Sequence, residues 1–530
     1  MRTISFIFIF AVFMLSAAAG AAQPRVFNDC IIFIPIDSRP ITDMYTADTM
    51  RQAGYKIVVP PEELLGGAVN NGDPDKLWSW LDEAIKENSS CRAMVISTDA
   101  LIYGSLVASR KHEIPEEAVL ERAEGLRQIK ARYPYMRIYA FSSIMRTPQM
   151  YDTGGKEPDY YKQCGVELYQ YSAIMDRAEM NGGLTDEDIA QVKYLWSVIG
   201  EANISDWFGR REKNFAVNQK LIDLAREGVF DYLVIGRDDN APLSQTHREG
   251  RKLKEYAADL DDTRFLNTSG IDEIAMLLMA RADSDFRGDL PFISVAYNDG
   301  AGKNTIPGFS DEPIGDTVEA YIRCVGGLQV KKPDHADLFV LVNTLADGIN
   351  PFSGSESNRF TVREDARCFA YMTERAVREG YPVAVADLAF YNGSDNAMMA
   401  ELEKRRLLSE LMSYGGWNTA TNSLGTAIGQ GLTARFTPYN GRQQLLLTRY
   451  LDEWAYEANI RQILSGMLST FSPDASGANL GSGLDNAGIA CTNLTRDFMK
   501  EHMGSFAYDG DIKITLPWNR LFENRVELIH

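Results

Sequence analysis

The 530-residue sequence lacks the short motifs that identify several large enzyme classes. It has no GxSxG nucleophile elbow, no HExxH zinc helix and no GxGxxG turn after a predicted strand. The segment GAGKNT, residues 300–305, lacks the first glycine of a phosphate-binding P-loop. Five histidines are too few for a histidine-rich zinc site, so no metal ligands are assigned. The remaining candidate groups are carboxylates, amides, arginines and aromatic rings.

Cysteines and basic residues are also sparse. The six cysteines include no CxxC pair, which argues against zinc ribbons and thioredoxin-like redox sites, and their spacing fixes no disulfide pairing. The formal net charge is −19, and such an acidic surface repels nucleic acid and anionic lipid. We therefore expect a small-molecule or glycan substrate and no nucleic-acid partner, while the sequence leaves the oligomeric state open.

Residues 1–22 have the pattern of a secretory signal peptide. Arg2 precedes the apolar run ISFIFIFAVFML, and the small-residue tract SAAAGAAQ follows. The run is short for a membrane anchor, and no cysteine stands at the cleavage zone to carry a lipid. We expect cleavage near Ala22, export to the periplasm or the extracellular space, and no membrane span in the mature chain.

Apolar runs rich in Val and Ile predict eight strands. They lie at residues 30–36, 55–59, 93–97, 137–143, 231–236, 291–297, 337–343 and 382–390. Continuous apolar character is typical of parallel strands that are buried on both faces. Helices are predicted between them, with start signals such as Asp73-Pro74 and Thr185 with Asp188. This alternation predicts an α/β fold with a parallel sheet, and eight strands favour a (β/α)8-like barrel over a doubly wound, two-domain arrangement.

The alternating pattern ends near residue 435. We therefore predict an α/β catalytic-type domain over residues 26–435 and a mainly helical C-terminal extension over 436–530 that packs on it. The extension contains one long predicted helix at 442–468, a Gly/Ser/Asn-rich loop at 472–488, and two short strands flanking Pro517-Trp518-Asn519-Arg520.

Polar residues follow most of the predicted strands. In parallel α/β folds, ligands bind where the carboxyl ends of the strands converge, so this recurrence predicts one shared pocket. Loops are also polar for structural reasons, since Asp and Asn often cap the next helix. The candidate catalytic residues are Asp37, Asp99, Asp238 and Asp239. The candidate substrate-binding residues are Arg39, Tyr103, Arg146, Arg237, Asn240, Asn298, Asp299, Asp387, Trp417, Asn418 and Asn422.

This inventory suits carbohydrate chemistry. Asp and Asn bind sugar hydroxyls, aromatic rings stack on a pyranose, and two carboxyl groups are enough to cleave a glycosidic bond. The adjacent Asp238 and Asp239 resemble the Asp-Asp pair of hexosaminidases that use the acetamido group of the substrate. In those enzymes one acid orients the acetamide and its neighbour is the general acid. A glycoside hydrolase, possibly acting on N-acetylhexosaminides, is therefore the leading hypothesis.

Two alternatives remain open. The same polar strand ends would serve a non-catalytic exported protein that binds a glycan or another solute. Asp37, Asp99, Asp238 and Asn240 would instead supply oxygen ligands for Mg²⁺ or Ca²⁺ in a metal-assisted hydrolase, whereas the leading hypothesis needs no cofactor. The three arginines either clamp an anionic substrate group or hold these aspartates in ion pairs.

Nine sequence segments, taken in their order along the chain, resemble those of a known family. They are IPIDSRP, VVPPEELLGG, STDALIYGSLVASR, SIMR, RDDNAP, DLAFYNGSD, GWNTATNSLGTA, RYLDEWAYEANIR and LPWNRLFE. In this order they resemble a bacterial family of unknown function, domain of unknown function 4127, over nearly the whole mature chain. The resemblance implies a homogeneous α/β family and supplies no reaction.

Overall fold

A computed structural model describes residues 29–529 of the chain. The predicted signal peptide at residues 1–22 lies outside this range. None of the helices between residues 29 and 529 combines the length and the apolar content needed to span a bilayer.

The strands of residues 29–529 form two open parallel sheets and one antiparallel hairpin. Sheet 1 contains β1 (Cys30–Ile34), β2 (Lys56–Val58), β3 (Cys91–Ser97), β4 (Arg137–Ile144), β5 (Tyr232–Arg237) and β6 (Phe265–Ser269), in the order β2-β1-β3-β4-β5-β6. Sheet 2 contains β7 (Phe292–Tyr297), β8 (Leu328–Val330), β9 (Leu338–Asn343), β10 (Val383–Asp387) and β11 (Ser413–Gly415), in the order β11-β10-β9-β7-β8. The hairpin pairs β12 (Asp511–Thr515) with β13 (Arg525–Ile529).

The α/β prediction with parallel strands is confirmed, but the described chain contains no closed sheet, so the favoured (β/α)8-like barrel is not found. If the strands of each sheet are numbered separately along the chain, both sheets have the order 2-1-3-4-5, and sheet 1 has a sixth strand at its edge. This is a doubly wound order, which the alternation of strands and helices does not distinguish from a barrel. All eight predicted strands exist, and β6, β8 and β11 are additional.

The described helices connect and cover the strands. They are α1 (Met44–Gln52), α2 (Pro74–Glu87), α3 (Thr98–Ile102), α4 (Leu106–Ser109), α5 (Glu116–Arg132), α6 (Tyr161–Asn181), α7 (Asp186–Ile199), α8 (Glu201–Arg226), α9 (Gln245–Tyr256), α10 (Ile274–Arg287), α11 (Ile314–Cys324), α12 (Glu364–Arg378), α13 (Asn396–Lys404), α14 (Ala420–Ala434), α15 (Tyr439–Arg449), α16 (Arg461–Gly466), α17 (Leu468–Phe471) and α18 (Leu484–His502). Both predicted starts are confirmed: Asp73 caps α2, and Thr185 with Asp188 forms a capping box at α7.

A layer of helices lies between the two sheets. Helix α10 packs on β3 and β4 of sheet 1, α14 packs on the strands of sheet 2, and the two helices pack on each other. Alternate residues of each strand face this layer, as the two-residue period of a strand requires. Ile31 and Phe33 of β1 therefore join one apolar core with Val340 and Val342 of β9. The two sheets thus share a single central core.

Separate cores cover the outer faces. Ile32 and Ile34 of β1 pack with α2, α5 and α8 on the outer side of sheet 1. Leu341 of β9 packs with α12, α13 and the C-terminal segments on the outer side of sheet 2. The predicted helix at 442–468 comprises part of α15, a π-helical segment at Tyr450–Ile460, and α16.

Helix α14 is a helix that the sequence did not predict. Its glycines and its Thr and Ser residues have low helix propensity, but every residue of the helix is buried, so tertiary packing decides the structure. Two glycines allow α10 to approach closely. A Cβ on Gly425 would lie 2.4 Å from Cγ of Glu273, and one on Gly429 would lie 2.7 Å from Cγ of Met276.

One disulfide joins two neighbouring strands of sheet 1. It links Cys30 at the start of β1 to Cys91 at the start of β3. The other four cysteines are free thiols, and Cys368 is the exposed one among them.

Candidate functional site

A cleft of about 790 Å³ lies at the carboxyl ends of both sheets. Loops that follow β1, β3, β4, β5 and β6 form one side, and loops that follow β7, β10 and β11 form the other. Residues 477–479 and 518–522 of the C-terminal part complete the wall. The volume is typical of a site for a small molecule or a short oligosaccharide.

Six of the residues predicted from the sequence line this cleft. They are Asp37, Arg39, Arg146, Asp238, Asp239 and Asn418. The predicted convergence of strand ends is therefore present for these residues, which come from β1, β4, β5 and β11. Their side chains form two groups of ion pairs.

The first group is centred on Arg39. Its guanidinium contacts both carboxylate oxygens of Asp37, with Nε at 3.0 and 2.9 Å, and it binds Asp272 through Nη1 at 3.0 Å and Nη2 at 2.5 Å. The hydroxyl of Thr42 donates to Asp37 at 2.7 Å. Asp37 and Asp272 are both buried, and burial raises the pKa of Asp272 although Arg39 lowers it. Arg39 is therefore committed to holding two acids together.

The second group contains the adjacent acids after β5. Arg110 Nη2 binds Asp238 Oδ2 at 2.5 Å, and Arg146 Nη1 binds Asp239 Oδ2 at 2.9 Å. Glu157 lies between the two arginines, because it accepts from Arg146 at 2.6 and 2.7 Å and from Arg110 at 3.5 Å. Three carboxylates and two guanidinium groups therefore form one network on the cleft floor.

The two adjacent acids have different environments. The side chain of Asp238 is 5% exposed, whereas that of Asp239 is 28% exposed. Burial raises the pKa of Asp238 to about 6, although the Arg110 guanidinium lowers it, and the neighbouring Asp239 carboxylate adds to the rise. Oδ1 of Asp238 accepts no hydrogen bond from residues 29–529. Asp238 is thus a buried acid with a free oxygen that can carry a proton near neutral pH.

Aromatic rings also line the cleft. Trp518 and Phe522 enter from the segment between β12 and β13, and Phe309 and Tyr391 enter from loops of sheet 2. The indole of Trp518 donates to Ser38 Oγ at 2.9 Å, which ties the C-terminal segment to the loop after β1. Rings of this kind stack on sugar faces and also bind cations.

Unusual backbone conformations concentrate at the cleft. Six non-glycine residues in the described range have φ between +44° and +64°, and all but Arg406 line the cleft. These five are Phe309, Asn392, Asn418, Trp518 and Asn519. Left-handed backbone costs about 1–3 kcal/mol at non-glycine residues and is enriched at ligand sites. The clustering is independent support for a functional role of this cleft.

Four predicted residues lie near the cleft but do not line it. Asp99 is buried and accepts from the backbone N–H and the hydroxyl of Ser143, so burial, only partly offset by these bonds, raises its pKa to about 6. Tyr103 stacks on His112. Trp417 is buried against Ile41 and Tyr45. Asn240 is buried, and its side-chain amide finds no partner among the described residues.

Five other predicted residues do not line the cleft, and four of them bond to neighbouring elements. The fifth, Asp299, is exposed beyond β7. Arg237 is ion-paired to Asp311 and Glu312, and Asn298 bonds Thr344 and Asn343. Asp387 accepts from Asn343 and Tyr414. Asn422 completes a capping box at α14 and donates to Glu273 at 2.6 Å. Arg237, Asn298, Asp387 and Asn422 therefore have the structural role that is common for polar loop residues, because each side chain bonds to a neighbouring element.

The cleft also contains functional groups that the sequence analysis missed. Those that line the cleft are Arg110, Lys156, Asp272, Trp518 and Phe522, and Glu157 lies behind them, bound to Arg110 and Arg146. Asp272 follows β6, a strand that was not predicted because FLNTS contains three polar residues. Trp518 and Phe522 reach the site from the C-terminal extension, and no local pattern predicts that contact.

Metal ligands are not gathered in the described residues. No group of three or more His, Cys, Asp or Glu side chains within residues 29–529 is arranged to hold a metal ion. In particular, Asp37 and Asp238 are bound to different arginines, and Asp99 is turned towards Ser143. The four oxygen ligands suggested for a metal-assisted hydrolase therefore do not meet.

Comparison with known proteins gives one match. The family model described as "Protein of unknown function (DUF4127)" matches residues 31–527, which is nearly the whole chain. Comparisons with curated proteins and with solved structures find no significant match. These results identify no reaction, so the function has to be argued from the cleft.

Proposed function

Since the chain belongs to the family described as "Protein of unknown function (DUF4127)", we propose its activity from the site alone: it is an exported glycoside hydrolase. The observation that carries the proposal is the Asp238–Asp239 pair, whose members share one cleft but differ in burial and in the arginine that each binds. Glycosidases need such a pair, with one acid protonated and the other ionised.

The two acids receive different roles in this proposal. Asp238 is the general acid: its free Oδ1 donates a proton to the departing glycosidic oxygen as the C–O bond breaks, while water or the 2-acetamido oxygen of the substrate forms the new bond to the anomeric carbon. The Asp238 carboxylate then takes up the proton of the attacking water. Asp239, which Arg146 binds, either stabilises positive charge at the anomeric carbon or orients a 2-acetamido group. Arg110 and Arg146 position these acids, because both guanidinium groups are already occupied by carboxylates.

The walls of the cleft support a sugar substrate. Trp518 and Phe522 line the cleft with aromatic ring surface of the kind that contacts a pyranose ring, and the amide of Asn418 lines the same cleft for hydroxyl groups. Asp37 and Asp272 provide further acceptors for hydroxyl groups close to Trp518, because the guanidinium of Arg39, which holds both acids, lies 5.7 Å from the Trp518 ring centre.

A binding protein without turnover is the second candidate, since two α/β halves flank one cleft. Solute-binding proteins of this kind close around a ligand by hinge motion. Here the central core is continuous between β1 and β9, and hinge opening would break it. A rigid, prearranged cleft favours catalysis over capture.

Export is part of the proposal and has two supports. The pattern of residues 1–22 is that of a signal peptide, and the Cys30–Cys91 disulfide is typical of oxidising compartments. Fractionation of the native host should find the protein outside the cytoplasm with its first residues removed. Recovery of the full-length reduced chain from the cytoplasm would contradict export.

The decisive experiment is a screen of the purified mature protein against aryl glycosides, including aryl N-acetylhexosaminides. We expect turnover of at least one substrate, and we expect Asp238→Asn and Asp239→Asn each to lower it strongly for glycosides with poor leaving groups while leaving the protein folded. Full activity in both variants would remove the pair from the mechanism. Tight binding of a sugar with no turnover of any glycoside would favour the binding protein.

A further inference from the structure

One cation of the cleft is uncommitted. Arg39, Arg110, Arg146 and Arg520 are each ion-paired to carboxylates, and Lys111 donates to the carbonyl oxygen of Gly155 at 3.0 Å. Lys156 differs from all of them, because its ammonium group has no ion pair and no hydrogen bond to the described residues 29–529. It lies 4.7 Å from the ring centre of Phe522.

The position of Lys156 is fixed on both sides. The next residue, Glu157, is clamped by Arg110 and Arg146. The preceding Gly154 and Gly155 have φ of +62° and +74°, so the turn depends on left-handed backbone that suits glycine. This half-buried ammonium group has lost water, and in exchange it has gained the cation–π contact with Phe522 but no carboxylate and no hydrogen-bond acceptor among the described residues.

The electrostatic surroundings also leave Lys156 short of an anion. Burial lowers its pKa to about 7, and Arg520, Arg146 and Arg39 lower it further. The nearby Glu523 raises it, but this carboxylate is bound by Arg520. Asp152, the remaining acid on this rim, accepts from the N–H of Gly154. A bound anion would raise the pKa of Lys156, and the lysine would then be a charged ammonium group with an ion-pair partner.

We propose that Lys156 forms a subsite for the carboxylate of an acidic sugar, such as a hexuronic acid, which sits in the cleft with its neutral hydroxyls over the acidic floor. The inference rests on the proposed glycosidase function for the sugar part. A single carboxylate fits better than a polyanion, because the floor holds Asp37, Asp272, Asp238, Asp239 and Glu157 against three arginines. A phosphate group could also pair with the Lys156 ammonium, and the experiment below distinguishes the two anions by comparing their affinities.

The test measures binding and does not require turnover. Glucuronate, glucose, glucose 6-phosphate and inorganic phosphate are titrated into the mature protein and followed by ligand-observed NMR. We expect glucuronate to bind at least about tenfold more tightly than glucose and more tightly than either phosphate. Lys156→Met should remove this preference, whereas Lys156→Arg should keep most of it. Lys193→Met, which removes an exposed lysine on α7, is the matched control and should change nothing.

Two results would overturn the inference. One is equal affinity for glucuronate in the wild type and in Lys156→Met, with both proteins folded. The other is tighter binding of glucose 6-phosphate or inorganic phosphate than of glucuronate. Failure of the hydrolase proposal gives a different outcome, since Lys156-dependent binding of glucuronate would then persist without turnover of any glycoside.

Discussion

Replacing Asp238 by asparagine should raise the stability of the folded protein above pH 7 and lower its rate of glycoside hydrolysis. Asparagine has nearly the shape of a protonated aspartic acid, so the variant keeps the form that burial favours. The pKa of Asp238 rises from 3.8 to about 6 on folding, which corresponds to a cost of charging on the order of 3 kcal/mol. The folded state therefore holds the Asp238 proton more tightly than the unfolded chain does.

The sign of the pH dependence follows from this shift. The contribution of Asp238 to stability is fully present below its unfolded pKa near 4 and is lost as the pH rises through about 6. Above pH 7 the Asp238→Asn variant should therefore unfold at a higher temperature than the wild type. Between pH 6 and pH 4 this difference should shrink towards zero.

Activity should change in the opposite direction. General acid catalysis contributes about 10²–10⁴-fold to a rate, so kcat of the variant should fall by that factor for glycosides with poor leaving groups. A 2,4-dinitrophenyl glycoside, whose leaving group needs no proton, should lose much less. In the wild type, kcat/KM should fall as the pH rises above about 6, and the variant should lack this limb.

The matched control is Asp283→Asn. Asp283 is also buried and bound to an arginine, Arg287, and burial also raises its pKa, but it lies outside the cleft. Its replacement should change the pH dependence of stability in the same direction and leave hydrolysis unchanged. The reasoning fails if Asp238→Asn hydrolyses both classes of glycoside at the wild-type rate, or if its stability difference is constant from pH 7 to pH 4.

Three other perturbations test neighbouring parts of the structure. Arg110→Met removes the guanidinium that lowers the pKa of Asp238, so the alkaline limb of the pH–rate profile should move to higher pH; an unmoved limb would contradict the assigned pair. Trp518→Ala should raise KM about tenfold with a smaller effect on kcat, whereas Trp196→Ala, at an exposed tryptophan on α7, should leave both constants unchanged. Peptide mapping without reductant should find Cys30 joined to Cys91. Replacing both cysteines by serine should lower the free energy of unfolding by about 2–4 kcal/mol. Alkylation of both thiols in the native exported protein would disprove the disulfide.

Local patterns predicted most of the fold. Continuous apolar runs located eight of the parallel strands, because burial on both faces leaves a clear compositional signal. The order of the strands in the sheets could not be predicted from the sequence, because a barrel and two doubly wound sheets contain the same alternation of strands and helices. Helix α14 was missed because its stability comes from contacts with α10 and sheet 2 and is opposed by its own low propensity.

The candidate site was predicted in outline. Asp37, Arg39, Arg146, Asp238 and Asn418 converge because each follows a parallel strand, and that position is readable from the chain. Whether a polar side chain at such a position faces the cleft or a neighbouring element depends on the packing around it. Asp99, Asp387 and Asn422 have equally polar sequence contexts, but their partners are buried groups.

The helix layer between the sheets also governs how the chain folds. Helix α10 belongs to the half of the chain that builds sheet 1, and α14 belongs to the half that builds sheet 2. Neither half can bury its inner face alone, so the two should gain stability together as one cooperative unit. Calorimetry should accordingly record a single transition, and fragments divided near residue 290 should acquire native structure only when they are mixed.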